Sequence, residues 1–127
     1  MWHYSWPNVE PATVGMNKVG ADMHEMVFRV RTHSEHEDVT VALSGELDLA
    51  GVQAFQEALE HARATGGRLV VDLRDLEFID SSGLRVLVGL HNAAETHGFE
   101  YTILPGPPEV QRAFALCGLD RTLRFVA

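Results

Sequence analysis

From Val27 to Val126 the spacing of apolar residues switches repeatedly between about two and about 3.6, which restricts the chain to strands and helices in alternation. Val27-Phe28-Arg29-Val30-Arg31 and Val39-Thr40-Val41-Ala42-Leu43 are β-branched, partly alternating runs. The polar stretch His33 to Asp38 between them reads as a hairpin turn, and Gly45-Glu46-Leu47-Asp48 closes the second strand. Val52, Phe55, Leu59 and Ala62 then follow at spacings of 3, 4 and 3, one face of a helix with Asp48 as N-cap and Gly66 as stop. Leu69 to Leu73 is a short apolar run suited to a strand covered on a face, and Asp75 to Asp80 reads as a short acidic loop. A second helix starting at Ser81 or Ser82 carries Leu84, Leu87, Val88, His91 and Ala94 and stops near Gly98. Tyr101 to Leu104 is another strand, and Pro105-Gly106-Pro107-Pro108 is a loop whose last proline suits a first helical turn. Val110, Ala113, Phe114 and Cys117 form a third helical face ended by Gly118, and Leu123 to Val126 reads as a terminal strand.

The resulting order, β-β-α-β-α-β-α-β, predicts an α/β layer structure around a mostly parallel sheet. Strand 1 is expected to be antiparallel, because a short turn joins it to strand 2. With 127 residues the chain suits one domain. Residues 1–24 have neither period and carry Pro7, Pro11, Gly15 and Gly20, so they read as a flexible leader ahead of a domain over 25–127. No apolar run approaches the ~18 residues of a membrane span, and no basic segment precedes an apolar one as in a secretory signal. A single cysteine, Cys117, forms no internal disulfide, which fits a reducing cytoplasm. The net charge of -8 argues against nucleic acid and anionic membrane as partners and is compatible with a protein partner that presents a basic face.

The chemically informative segment is Asp72-Leu73-Arg74-Asp75-Leu76-Glu77-Phe78-Ile79-Asp80-Ser81-Ser82-Gly83-Leu84. Here a strand enters a helix through Asp-Ser-Ser-Gly, at the kind of crevice where open α/β sheets gather ligands. Capping alone accounts for Asp and Ser at such a place. One cap needs one residue, however, and three candidates stand in a row, so at least one hydroxyl is left over. A phosphate on it would meet the macrodipole and free amides of the first turn. It would add about -1.5 to -2 charges beside Asp80, Asp75 and Glu77 and repel a docked partner.

Four blocks in order, Gly45-Glu46-Leu47-Asp48, Val70-Val71-Asp72-Leu73, Phe78-Ile79-Asp80-Ser81-Ser82-Gly83-Leu84 and Cys117-Gly118-Leu119-Asp120, resemble the STAS domain of bacterial anti-sigma-factor antagonists over roughly Met26 to Ala127. The resemblance implies a STAS fold: a mixed, mostly parallel sheet of four to five strands with about three to four helices. It implies a non-enzymatic switch. The unphosphorylated antagonist binds an anti-sigma factor that is a serine kinase and so frees a sigma factor. The kinase phosphorylates the second serine of the motif, which ends the complex, and a PP2C-type phosphatase restores the hydroxyl. Carried over by position, the acceptor is Ser82, flanked by Asp80, Ser81 and Gly83, with Asp48 in the loop that helps form the docking face. The family implies no cofactor of the chain's own and a monomer when free. Many relatives have a small residue where this chain has Arg85, three positions after Ser82 and on the same helix face, which places its guanidinium to pair with a phosphate on Ser82; the plain alternative is an exposed helix arginine near acidic residues.

The remaining residues have plain readings. His33, His36, His91 and His97 form no ligand set of about four, so they read as surface residues, with His91 partly buried. Cys117 lies on an apolar helix face and reads as a buried small hydrophobe. Asp72, an acid in an apolar strand, is expected to be satisfied by backbone amides or to sit at the strand's end. Neither a Gly-x-Ser-x-Gly elbow nor a phosphate-binding glycine loop occurs. The alternatives are a non-switching STAS adaptor subunit of a stress-signalling or lipid-transport complex and, less favoured, a small hydrolase using Ser82.

Overall fold

The computed structural model describes residues 27–126, so the expected leader at 1–24 lies outside the described residues. Seven elements follow one another: β1 (Arg29–Glu35), β2 (Asp38–Leu47), α1 (Leu49–Thr65), β3 (Arg68–Ile79), α2 (Ser81–His97), β4 (Tyr101–Leu104) and α3 (Pro108–Leu116). The four strands form one sheet in the order β1-β2-β3-β4. β1 runs antiparallel to β2, while β2–β3 and β3–β4 are parallel, as the connection lengths require.

One face of the sheet supplies the core. Val39, Val41, Leu43 and Leu47 of β2 are buried with Leu69, Val71, Leu73, Leu76 and Ile79 of β3 and Tyr101 and Ile103 of β4. The alternating residues Thr40, Ala42, Ser44, Val70, Asp72 and Thr102 are half-buried or exposed. α1 packs on β1, β2 and α2, and α2 and α3 pack on β3. Phe55, Leu59, Leu87, Leu90 and Phe114 are the helices' large contributions to the core. Both long helices end at a glycine in the left-handed region, Gly66 (φ 90) and Gly98 (φ 74), where a side chain would be strained.

Four sequence expectations need correction. The hairpin turn is only His36 and Glu37, since β1 stays paired from Arg29↔Ser44 to Glu35↔Asp38. Polar residues there are edge-strand residues facing solvent rather than a loop. The acidic stretch Asp75 to Asp80 is not a loop, because β3 continues to Ile79. The terminal strand reduces to one parallel bridge, Ile103↔Phe125, held by Ile103 N–H to Arg124 O at 2.9 Å and Val126 N–H to Ile103 O at 3.0 Å. Cys117 is exposed, because α3 ends at Leu116 and Cys117 is its C-cap.

The extended β3 depends on two bulges. Ala42 opposes Asp72 but Ser44 opposes Asp75, and Gly45 opposes Leu76 but Glu46 opposes Phe78. Each step adds one residue to β3. The Asp72 carboxylate closes the first bulge by accepting the Arg74 N–H at 3.0 Å. The inward residues of β3 therefore fall at Leu69, Val71, Leu73, Leu76 and Ile79, and they stay opposite the regular alternation of β2.

Candidate functional site

Two helices begin side by side at the carboxyl-end edge of this sheet, where the central strands β2 and β3 stop. Leu47 pairs with Ile79 as the last residues of neighbouring parallel strands, and the next residue in each chain segment is an aspartate. Asp48 caps α1, its Oδ1 accepting the Ala50 N–H at 3.1 Å. Asp80 caps α2, its Oδ1 accepting the N–H groups of Ser82 at 2.8 Å and Gly83 at 3.3 Å. Both have extended backbones, as N-caps do. The Asp80 N–H also bonds to the Leu47 carbonyl at 3.1 Å, which locks the two helix starts together. The structure thus brings Asp48 to the same edge as the Asp80-Ser81-Ser82-Gly83 segment.

Because Asp80 does the capping, both serine hydroxyls are left over. Neither makes a hydrogen bond among the described residues, Ser81 being exposed and Ser82 half-buried. Most of the first-turn amides that a phosphate on Ser82 was expected to meet are taken: the N–H groups of Ser82 and Gly83 serve Asp80 and that of Leu84 bonds to the Asp80 carbonyl at 3.1 Å, while that of Ser81 has no partner among the described residues. Gly83 is buried, and a Cβ there would meet Leu47 Cδ2 at 2.7 Å and Ile79 Cγ1 at 2.8 Å. Its role is space, letting the first turn of α2 seat on the ends of β2 and β3. Arg85 is exposed one turn along and forms no ion pair among the described residues.

The sequence reading missed the apolar part of this edge. Leu49, the first residue of α1, is 74% exposed, and Phe78, beside Ile79, is 46% exposed. A signal was present for Phe78. Neighbours in a strand face opposite ways, so Phe78 and Ile79 cannot both be inside. Glu46, Asp48, Asp75, Glu77 and Asp80 lie within three residues of one or the other in the chain, Glu46 also pairing with Phe78 across the strands, and Arg74 lies in the same stretch. Two exposed apolar side chains among carboxylates suit a partner with an apolar contact surface and basic groups.

Other singled-out residues lie away from this edge. Asp72 is held within β3 by a bidentate pair to Arg74, with Nε and Nη2 each 3.0 Å from a carboxylate oxygen, and this pairing keeps its carboxyl below the usual carboxylate range. His91 is half-buried on α2, its Nδ1 2.7 Å from the Tyr101 hydroxyl. That hydroxyl also accepts the Arg124 N–H at 3.2 Å, and burial pushes its pKa up. Among the described residues no group of three His, Cys, Asp or Glu side chains is placed to hold a metal ion, and no helix is long and apolar enough to cross a membrane.

The family model described as Mlab, STAS domain matches residues 30–126. A STAS-domain containing protein of Pseudomonas aeruginosa is 28% identical over 100 residues, covering 79% of this chain and 99% of that one. An anti-sigma-B factor antagonist of Staphylococcus aureus is 30% identical over 95 residues, covering 74% and 88%. An anti-sigma factor antagonist from Mycobacterium paratuberculosis superposes with a TM-score of 0.70 at 25% identity, over 77% of this chain and 84% of that one. The anti-sigma factor antagonist SpoIIAA in its unphosphorylated form shares the fold, with a TM-score of 0.64 at 23% identity over 77% and 88%. With a family model spanning nearly all the described residues, this chain belongs to the STAS domain family, and anti-sigma factor antagonists are among its relatives.

Proposed function

We propose that this chain is an anti-sigma factor antagonist working as a phosphorylation-controlled binding switch in the cytoplasm. Unphosphorylated, it docks onto an anti-sigma factor serine kinase and so frees a sigma factor. The kinase transfers the terminal phosphoryl group of ATP to Ser82 Oγ; ADP leaves and the hydroxyl proton is released. The phosphoryl group, placed at a half-buried hydroxyl beside the exposed Leu49 and Phe78, ends the docking through its bulk and the cost of desolvating its charge in an apolar contact. A PP2C-type phosphatase returns the hydroxyl by hydrolysis, releasing inorganic phosphate. The chain supplies no catalysis itself, needs no cofactor, and is a monomer when free.

The observation that carries this reading is the unbonded, half-buried hydroxyl of Ser82 at the edge that also exposes Leu49 and Phe78. A charge added at that hydroxyl lands within the surface best suited to a partner. The name of the Staphylococcus aureus relative supports the same class of partner. The test is intact mass after incubation with ATP and candidate anti-sigma kinases from the same organism, on wild type and Ser82→Ala. One phosphate gained by wild type and absent in Ser82→Ala is the expected result. Stable binding to a kinase without any gain would contradict it.

The family model's description, Mlab rather than an antagonist, favours a second reading, a non-switching adaptor subunit of a larger stress-signalling or lipid-transport assembly. In that case the chain co-purifies with its complex and Ser82 stays unmodified whether or not ATP is present.

A further inference from the structure

A phosphoryl group on Ser82 enters a place with few groups to receive it. The N–H groups of Ser82, Gly83 and Leu84 are occupied by Asp80. The nearest acid in the chain is Asp80 itself, and Asp75 and Glu77 lie just upstream on β3. Arg74, on the same strand, is engaged by both oxygens of Asp72. Without a cation the modified serine would gather like charges in the first turn of α2.

Arg85 stands three residues after Ser82 within α2, which brings their Cβ atoms to about 5–6 Å. It is exposed, and no carboxylate among the described residues holds it. Its guanidinium presents a planar fork of donors that matches phosphate oxygens, and its stem is long enough to fold back over one helical turn. Resting on the phosphorylation reading of Ser82, we infer that Arg85 is the residue that holds the phosphoryl group once Ser82 is modified. It does so from the side chain, in place of the helix amides that Asp80 has taken. Two effects follow. The phosphorylated state persists longer, because a phosphatase must first draw the group off its arginine. Part of the added charge is also neutralised, so bulk and desolvation at the docking surface carry a larger share in ending the contact.

The test needs neither kinase nor phosphatase. Phosphoserine is installed at position 82 of the full chain during synthesis, and its phosphorus resonance is titrated from acid to neutral pH in wild type, Arg85→Ala and Arg85→Lys. A cation paired with the group favours its dianion, so the second ionisation, ordinarily near pH 6, sits lower in wild type. Arg85→Ala is expected to raise that midpoint by about half a pH unit, Arg85→Lys to fall between the two, and added salt to narrow the difference. Equal midpoints in wild type and Arg85→Ala, with both chains folded by circular dichroism, would overturn the inference. Should Arg85→Ala not fold, Arg85→Gln takes its place in the comparison. Failure of every kinase to label Ser82 would instead sink the switch and leave the measured pairing intact.

Discussion

The backbone N–H of Asp80 bonds to the carbonyl of Leu47 at 3.1 Å, so the start of α2 is fastened to the residue just ahead of the cap of α1. The surface at this edge is therefore one unit. Anything that loosens one cap is felt by the hydroxyl and the apolar groups beside it.

The two caps differ in what they hold. Asp80 satisfies two amides, whereas Asp48 satisfies one. Asp80→Ala should cost about 1–2 kcal/mol and Asp48→Ala about 0.5–1 kcal/mol. Urea denaturation gives both values, and a larger loss at Asp48 would contradict this account.

In an open helix Gly→Ala stabilises by about 0.5–1 kcal/mol. Gly83→Ala should do the reverse, because its Cβ would press on Leu47 and Ile79. Overpacking of this kind costs about 1–3 kcal/mol, so the thermal midpoint falls. A rise in the midpoint would mean the seat of α2 has room to spare.

Leu49 and Phe78 give a test that separates docking from folding. Leu49→Ser should change stability by less than about 0.5 kcal/mol, since the side chain is mostly in water. Combined with Phe78→Ser it should weaken binding to the anti-sigma kinase by roughly tenfold or more, read by calorimetry. Unchanged affinity would move the docking surface elsewhere.

Ser82→Ala should retain kinase binding and remain bound after ATP is added. Ser82→Asp, which brings one charge next to Asp80, should bind more weakly. Pull-down with the kinase, with and without ATP, distinguishes the two. Loss of binding in Ser82→Ala would show that the hydroxyl is needed for docking itself.

Tyr101 contributes to the alkaline fall of stability. Burial raises its hydroxyl pKa, so above the unfolded value of about 10 the unfolded chain releases that proton before the folded one does. Stability supplied by the protonated phenol is complete below that pH and is lost as pH rises through the folded value. Tyr101→Phe gives up bonds to His91 and to the Arg124 amide, costing about 1–3 kcal/mol at neutral pH. It should also flatten the alkaline fall of the thermal midpoint. An equally steep fall in the variant would assign it to other groups.

Much of this fold was legible because helix signals are local. Asp48, Gly66, Gly98 and Pro108 each mark an end by their own chemistry, and the structure uses each where the sequence placed it. The second half of β3 was not legible, because its inward residues step by three from Leu73 to Leu76 to Ile79. That spacing suits neither a regular strand nor a helix, and only the partner strand β2 gives it meaning. Cys117 was misread for a related reason. Its face continues the pattern of Val110 and Phe114, but the helix stops one residue short of it. Sequence reading singled out Asp48 and the Asp80 segment, which the fold sets side by side, but not Leu49 and Phe78, since exposure of an apolar residue depends on what packs around it.

The bulges in β3 bear on how such a chain changes over generations. Each adds a residue that faces no single partner, so losing one of them restores regular pairing without turning Leu76 or Ile79 outward. Losing a residue between Val70 and Leu73 would invert every side chain downstream and carry Asp80 off its seat on Leu47. The segment leading into the helix can therefore drift in length at two points only, and the distance from Ile79 to Ser82 cannot drift at all.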